Sequence, residues 1–279
     1  MNNAKRINVF LLLVLVWAFS ACQSGQNAAE QITKKNVEFE MGVASYTFRK
    51  YPVDTMLAFM QQLELKHLSL KSFHLRLDAT DDEIAEVVQK CRNSGIDLYA
   101  GGVIYMTTEA EVDQAFEYAK KAGMRMIVGV PNHELLSYVE NKVKEYDIQL
   151  AIHNHGPGDK LYPSAESAYL LIKDMDPRMG LCVDIGHTKR IGRDPSQDVK
   201  DYFDRVLDIH IKDVTQANHD GTTCEIGRGV IDIERFLADL IELEYDGIVS
   251  FEYEKDGDNP FAGFAESVGY VRGVLSTLQ

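Results

Sequence analysis

The sequence predicts a single-domain (β/α)8 barrel, and three observations carry that prediction. Short apolar strands alternate with amphipathic helical stretches eight times along the chain. The alternation fills about 250 residues, the usual size of one such barrel. Four stretches in the second half, residues 149–155, 181–187, 207–213 and 248–254, each end in acid–base or metal-ligating side chains. Side chains alternate faces along a strand. One parity of these stretches carries Ile152, Val183, Ile209, Ile211, Val249, Phe251 and Tyr253, and the other carries His153, His155, Asp184, His210, Lys212, Glu252 and Glu254. Helices cover the apolar parity, so the polar one converges at the carboxyl ends of the strands, where barrels of this type hold their active sites. Two carboxylates and two or more imidazoles meeting there suit one divalent cation. No Gly-x-Gly-x-x-Gly follows the first strand, which argues against a doubly wound dinucleotide fold.

Each element has its own signal. Strands are predicted at residues 41–48, 67–71, 97–103, 126–130, 149–153, 180–184, 206–211 and 247–252. The first helix follows Pro52 and Asp54, and the second opens on Asp81, Asp82 and Glu83 and runs to Cys91. Thr108 and Glu111 have the spacing of a capping box ahead of Val112, Phe116 and Ala119. Pro195 to Asp198 starts another helix, and Asp232 starts the one holding Phe236, Leu237, Leu240 and Ile241. Gly95, Gly123, Gly180 and Gly247, each just before or within the next strand, are predicted to close helices. Strands alternating with helices imply parallel pairing through right-handed crossovers.

The ends of the chain read differently. Lys5 and Arg6 precede an uncharged apolar run over residues 9–19, and Phe19-Ser-Ala-Cys22 supplies small residues before a cysteine. That is the pattern of a secretory signal, too short for a stable membrane span. A cysteine at this place resembles the bacterial lipoprotein cleavage box. The expected organisation is a signal peptide over 1–21, a lipidated Cys22 heading a polar tether over 22–37, and the barrel over 38–279. The protein is then an exported lipoprotein, anchored only through its lipid and facing the periplasm. Cys91, Cys182 and Cys224 remain, an odd number without disulfide spacing; Cys182, beside Val183, is expected to pack in the core. A net charge of −14 opposes nucleic-acid binding, which needs a basic face.

With these residues in view, the chain resembles the sugar phosphate isomerase/epimerase superfamily, the barrels related to xylose isomerase and endonuclease IV. The marks are Asp184-Ile-Gly-His187, His210-Ile-Lys-Asp213, Phe251-Glu-Tyr-Glu254 and the loop Glu225-Ile-Gly-Arg-Gly-Val-Ile-Asp232. In the metal-dependent epimerases of this group the ligands are a glutamate, an aspartate, a histidine and a glutamate on strands five to eight. The resemblance implies Asp184, His210 and Glu252 as ligands. This chain has His153 at the strand-five position, within Ala151-Ile-His-Asn-His155. The epimerase glutamate is also one of two proton carriers, so two-base epimerisation loses a partner here. Proton work then falls to His155, Lys212, Glu254 or Lys71, with the first three expected to carry it. Lys71, inward on strand two with Leu68 and Leu70 outward, is expected to contact substrate, as are His187 and Arg228; His74 and His133 are expected on the surface.

Nitrogen and oxygen ligands together suit manganese, zinc, cobalt or iron, with manganese or zinc favoured over calcium. The resemblance implies enediolate chemistry on a small carbohydrate, and export implies an unphosphorylated one. A 3-keto-glycoside lyase or hydratase is the leading expectation, and an aldose–ketose isomerase or epimerase of free sugars the alternative. A sugar-binding lipoprotein without catalysis is the reading from another class. Repair of DNA, after the endonuclease branch, is opposed by the acidic charge.

Overall fold

The computed structural model of the chain describes residues 39–278, so the expected signal peptide, Cys22 and the tether lie outside the described residues. Eight parallel strands close into a barrel: β1 (Glu40–Ala44), β2 (His67–Leu70), β3 (Asp97–Met106), β4 (Met126–Pro131), β5 (Gln149–His153), β6 (Met179–Asp184), β7 (Val206–Ile211) and, after a short hairpin of β8 (Asp213–Val214) with β9 (Thr223–Cys224), β10 (Ile248–Phe251). β10 pairs with both β7 and β1, which closes the ring and leaves no strand edge free within it. The expected barrel is the observed one.

Helices cover the outside. In α3 (Glu109–Ala122), Val112, Ala115, Phe116 and Ala119 are buried at the helical period. Truncating a buried aromatic such as Phe116 to alanine costs roughly 3–5 kcal/mol in a close-packed core. The capping boxes of Thr108 with Glu111, and of Thr80 with Glu83 ahead of α2 (Asp81–Asn93), are both formed. α1 (Val53–Gln62) starts after Pro52, and α8 (Ile233–Glu242) is capped by the Asp232 carboxylate. Where α9 (Phe261–Leu278) returns to the first strand, Phe48 meets Phe264 edge-on at 5.3 Å between ring centroids.

Three features depart from expectation. β1 ends at Ala44, and residues Ser45–Phe48 turn into a 3-10 helix. Two side-chain bonds favour the turn over further pairing: Lys71 N donates to Ser45 Oγ at 2.7 Å, and Tyr253 N donates to Thr47 Oγ1 at 3.0 Å. Gly95 and Gly123 close helices in the left-handed region as expected; Gly180 lies inside β6, as the strand predicted at 180–184 requires, and closes no helix. There a Cβ would sit 2.5 Å from the Arg205 carbonyl, so the glycine permits close approach of β7. The turn after α8 takes its left-handed residue from Glu244 rather than from Gly247.

Candidate active site

The site is built at the carboxyl ends of β5, β6, β7 and β10. Asp184 pairs in register with His210, whereas His153 pairs with Cys182, two residues before Asp184, and Glu252 lies two residues beyond Ser250, the partner of His210; the stagger of tilted barrel strands brings the four ends together. His153, Asp184, His210 and Glu252 are all buried, and one ligand atom from each lies within 4.8 Å of the others. His153 Nε2 stands 3.0 Å from His210 Nδ1 and 3.5 Å from Asp184 Oδ2, and His210 Nδ1 stands 3.2 Å from Glu252 Oε2. Donors held about 2.1 Å from one ion are separated by about 3.0 Å at right angles and about 3.4 Å in a tetrahedron. The four residues therefore fit a divalent cation in both chemistry and spacing.

Their neighbours hold them in place. Asn154, the middle residue of His-Asn-His, accepts the Asp184 backbone N–H at 2.9 Å and donates to the Asp184 carbonyl at 3.3 Å. Asp184 Oδ1 caps α6 (Ile185–Arg190) by accepting the His187 N–H at 2.7 Å, which turns Oδ2 towards the cluster. Beneath, inside the barrel, Asp208 accepts from Tyr99 Oη at 3.0 Å and lies 3.9 Å from His210 Nε2. Burial pushes the Asp208 carboxyl up to about 6.

Lys212 is the residue the strands bring closest to the ligands. Its Nζ is 2.8 Å from Asp184 Oδ2 and 2.7 Å from Glu252 Oε2, and it also pairs with Glu254. Burial alone would lower its pKa, but the three carboxylates raise it well above the ordinary lysine value. Glu252 is acted on in the opposite sense: burial raises it, and Lys212 and His210 outweigh burial and hold it well below the usual range. Desolvation pulls His153 down to about 3, so its imidazole is neutral and its ring nitrogen free to act as a ligand.

A cavity of about 220 Å3 opens onto this cluster, lined by Lys71, His153, His155, His187, Glu252 and Glu254 with Tyr46 and Tyr105 as walls. Five of the six residues expected to act on substrate or protons are thus gathered, Lys212 just behind the others. His155 Nε2 lies 3.1 Å from Tyr105 Oη, and burial followed by the nearby His187 lowers its pKa. Burial likewise lowers Lys71, whose Nζ donates to the Val103 carbonyl at 2.5 Å.

Arg228 is the exception. It is exposed, pairs with Glu266 on α9 and lines neither this cavity nor the larger one beside it. The cause lies in its loop. Asp213 accepts the backbone N–H groups of Gly227 at 3.0 Å and Gly229 at 2.9 Å, so the inner side of the loop is taken by main chain and Arg228 faces out. A Cβ at Gly229 would lie within 2.1 Å of Asp213 Oδ1, which ties the glycine to this stitch. His133 is exposed as expected, but His74 is half-buried, 3.0 Å from Ser45 Oγ, and helps fix the turn after β1. Tyr46, Tyr105 and the Asp208–Tyr99 pair carried no sequence signal beyond strand parity.

Fold and site together define an eight-stranded parallel barrel with a buried cluster of histidines and carboxylates at its strand ends. Residues 59–274 match the xylose isomerase-like TIM barrel family, and the chain belongs to it. It is 27% identical over 161 residues to an inosose dehydratase of Lacticaseibacillus casei, covering 52% of this chain and 54% of that protein. The chain thus spans about half the length of the curated relatives it matches. A crystal structure of an uncharacterized protein from Parabacteroides distasonis superimposes with a TM-score of 0.67 at 28% identity, over 85% of this chain and 99% of that one. A 3-keto-D-glucoside 4-epimerase from E. coli shares the fold, with a TM-score of 0.68 at 14% identity over 84% of this chain and 99% of that one.

Proposed function

We propose that the protein is a metal-dependent enzyme that removes the proton α to the carbonyl of an unphosphorylated keto-sugar, acting on 3-keto-glycosides as a lyase or hydratase. The observation that carries this reading is the buried two-imidazole, two-carboxylate cluster with the Lys212–Glu254 pair set against it. A divalent cation, manganese or zinc, held by His153, Asp184, His210 and Glu252 would supply Lewis-acid polarisation of the carbonyl and its neighbouring hydroxyl. His155, neutral and on the cavity wall, is placed to take the C2 proton. Lys212, held charged by three carboxylates, stabilises developing negative charge and can return a proton to the departing oxygen. Glu254 positions Lys212, and Lys71 and His187 hold substrate hydroxyls.

The steps balance without a redox partner. Loss of the C2 proton and of the C1–oxygen bond forms a C1–C2 double bond and releases the aglycone, which takes up one proton. Water added across that double bond gives the free 3-keto-sugar. With His153 in place of a second carboxylate base, elimination and hydration are favoured over epimerisation. The inosose dehydratases among the relatives, and a 3-keto-D-glucoside 4-epimerase among the fold neighbours, are both compatible with this chemistry.

The test is a panel of 3-keto-glycosides, free ketoses and ketose phosphates, each with Mn2+ and with chelator. Aglycone release from the keto-glycosides, lost with chelator, is expected. Activity confined to ketose phosphates, or indifferent to chelator, would sink the reading; an epimer or aldose from a free ketose would replace it with the isomerase alternative.

Export is the second part of the proposal. The anchor in this reading rests on Cys22, within Phe19-Ser-Ala-Cys22. Several acyl chains hold firmly where one holds only marginally. Cys22→Ser is expected to move the protein from the membrane to the soluble periplasmic fraction, read by fractionation and blotting. Unchanged membrane association would refute the anchor.

A further inference from the structure

Beside the metal-ligand cluster lies a second, larger cavity of about 500 Å3, between α6, the β8–β9 hairpin and the segment after β10. His187 and Glu254 line both cavities, so the two adjoin. Thr215, Thr222 and Thr223 are among its lining residues, the first two with their hydroxyls 3.3 Å apart. Its cations differ in how they are balanced. Lys212 is matched by three carboxylates, and Lys255 is matched by Glu225 at 2.8 Å. Arg190 has no such partner: no carboxylate oxygen among the described residues lies within ion-pair distance of it. One of its amino groups donates to the His219 carbonyl at 2.9 Å, another reaches His187 Nδ1 at 3.4 Å, and Nε is buried without an acceptor. An unbalanced guanidinium stands out in a chain of net charge −14. It is also anchored, because it ends the short helix that Asp184 begins.

We propose that this cavity is a second subsite that receives the leaving group of the substrate, and that Arg190 selects a leaving group bearing a carboxylate. The inference rests on the keto-glycoside reading above, since only a substrate of two parts needs two adjoining cavities. The planar guanidinium fork matches a carboxylate, and the threonine hydroxyls can meet its remaining lone pairs. His187, at the boundary, then separates the reacting ring from its aglycone.

Binding can be read apart from turnover by using glycosides that lack the keto group and cannot react. The probes are the β-glucosides of phenol, of 4-hydroxybenzoate and of 4-hydroxyphenyl phosphate, titrated calorimetrically into the Mn2+-loaded protein. The carboxylate glycoside is expected to bind at least about tenfold tighter than the phenyl one. Arg190→Gln should remove that preference with metal content unchanged, and Arg190→Lys should keep part of it. Equal affinities, preference for the phosphate ester, preference that survives Arg190→Gln, or no binding of any probe would each overturn the subsite. Preferential carboxylate binding without turnover of the corresponding 3-keto compounds would leave the subsite standing and remove the proposed reaction.

Discussion

Lys212→Met is expected to destabilise the metal-free protein by about 3–5 kcal/mol, the range for breaking a buried ion pair by removing one partner. The cause is specific to this cluster. The Lys212 ammonium is buried and touches Asp184, Glu252 and Glu254, so its loss leaves neighbouring carboxylates without a counter-charge. Its folded-state pKa is raised, so the contribution is fully present below the unfolded lysine value and is lost only as pH rises through the higher folded one. Denaturant unfolding at neutral pH with chelator present reads the effect. A divalent cation brings positive charge to the same carboxylates, so adding Mn2+ should recover most of the lost stability. Turnover should stay depressed by about 10²–10⁴-fold, since a charged donor has gone. Unaltered unfolding in chelator would mean that Lys212 does not neutralise the cluster.

Glu252→Ala carries the second large effect. Glu252 is one of the two carboxylates in the proposed ligand set, and it also meets His210 Nδ1 at 3.2 Å and Lys212 Nζ at 2.7 Å. Metal affinity should fall by more than about 100-fold, beyond what loss of an outer partner of a ligand produces. Elemental analysis after dialysis should show near-complete loss of metal, and turnover should vanish with it. Glu254→Gln is the matched control: it removes a Lys212 partner outside the ligand set, so metal content should hold while activity drops. Equal metal in wild type and Glu252→Ala would remove Glu252 from the ligands.

The sequence was legible where one rule dominates. Strand parity puts His153, Asp184, His210 and Glu252 on one side of four strands, and barrel closure with its strand stagger brings them together, Asp184 opposite His210 but His153 opposite Cys182. Capping boxes marked helix starts because Thr80 and Thr108 act locally. What stayed hidden depends on partners far along the chain. Arg228 sits between two glycines as a flexible clamp would, but Asp213 stitches the loop and turns the arginine to Glu266. The turn at Ser45 is fixed by Lys71 and His74, and Asp208 gains its role from Tyr99 across the barrel interior. The sequence marks Lys212 as a proton carrier, but its ion pairs with Asp184 and Glu252 become visible only once the strands are side by side.

The central claim is that these strand ends remove a proton α to a sugar carbonyl, and isotope exchange tests it most directly. A 3-keto-glucoside incubated with the Mn2+-loaded protein in D2O should exchange its C2 proton at a rate no slower than aglycone release, as proton NMR would show. The exchange should disappear with chelator and in Glu252→Ala. Aglycone release without any need for C2 deprotonation, or exchange that persists in Glu252→Ala, would contradict the account.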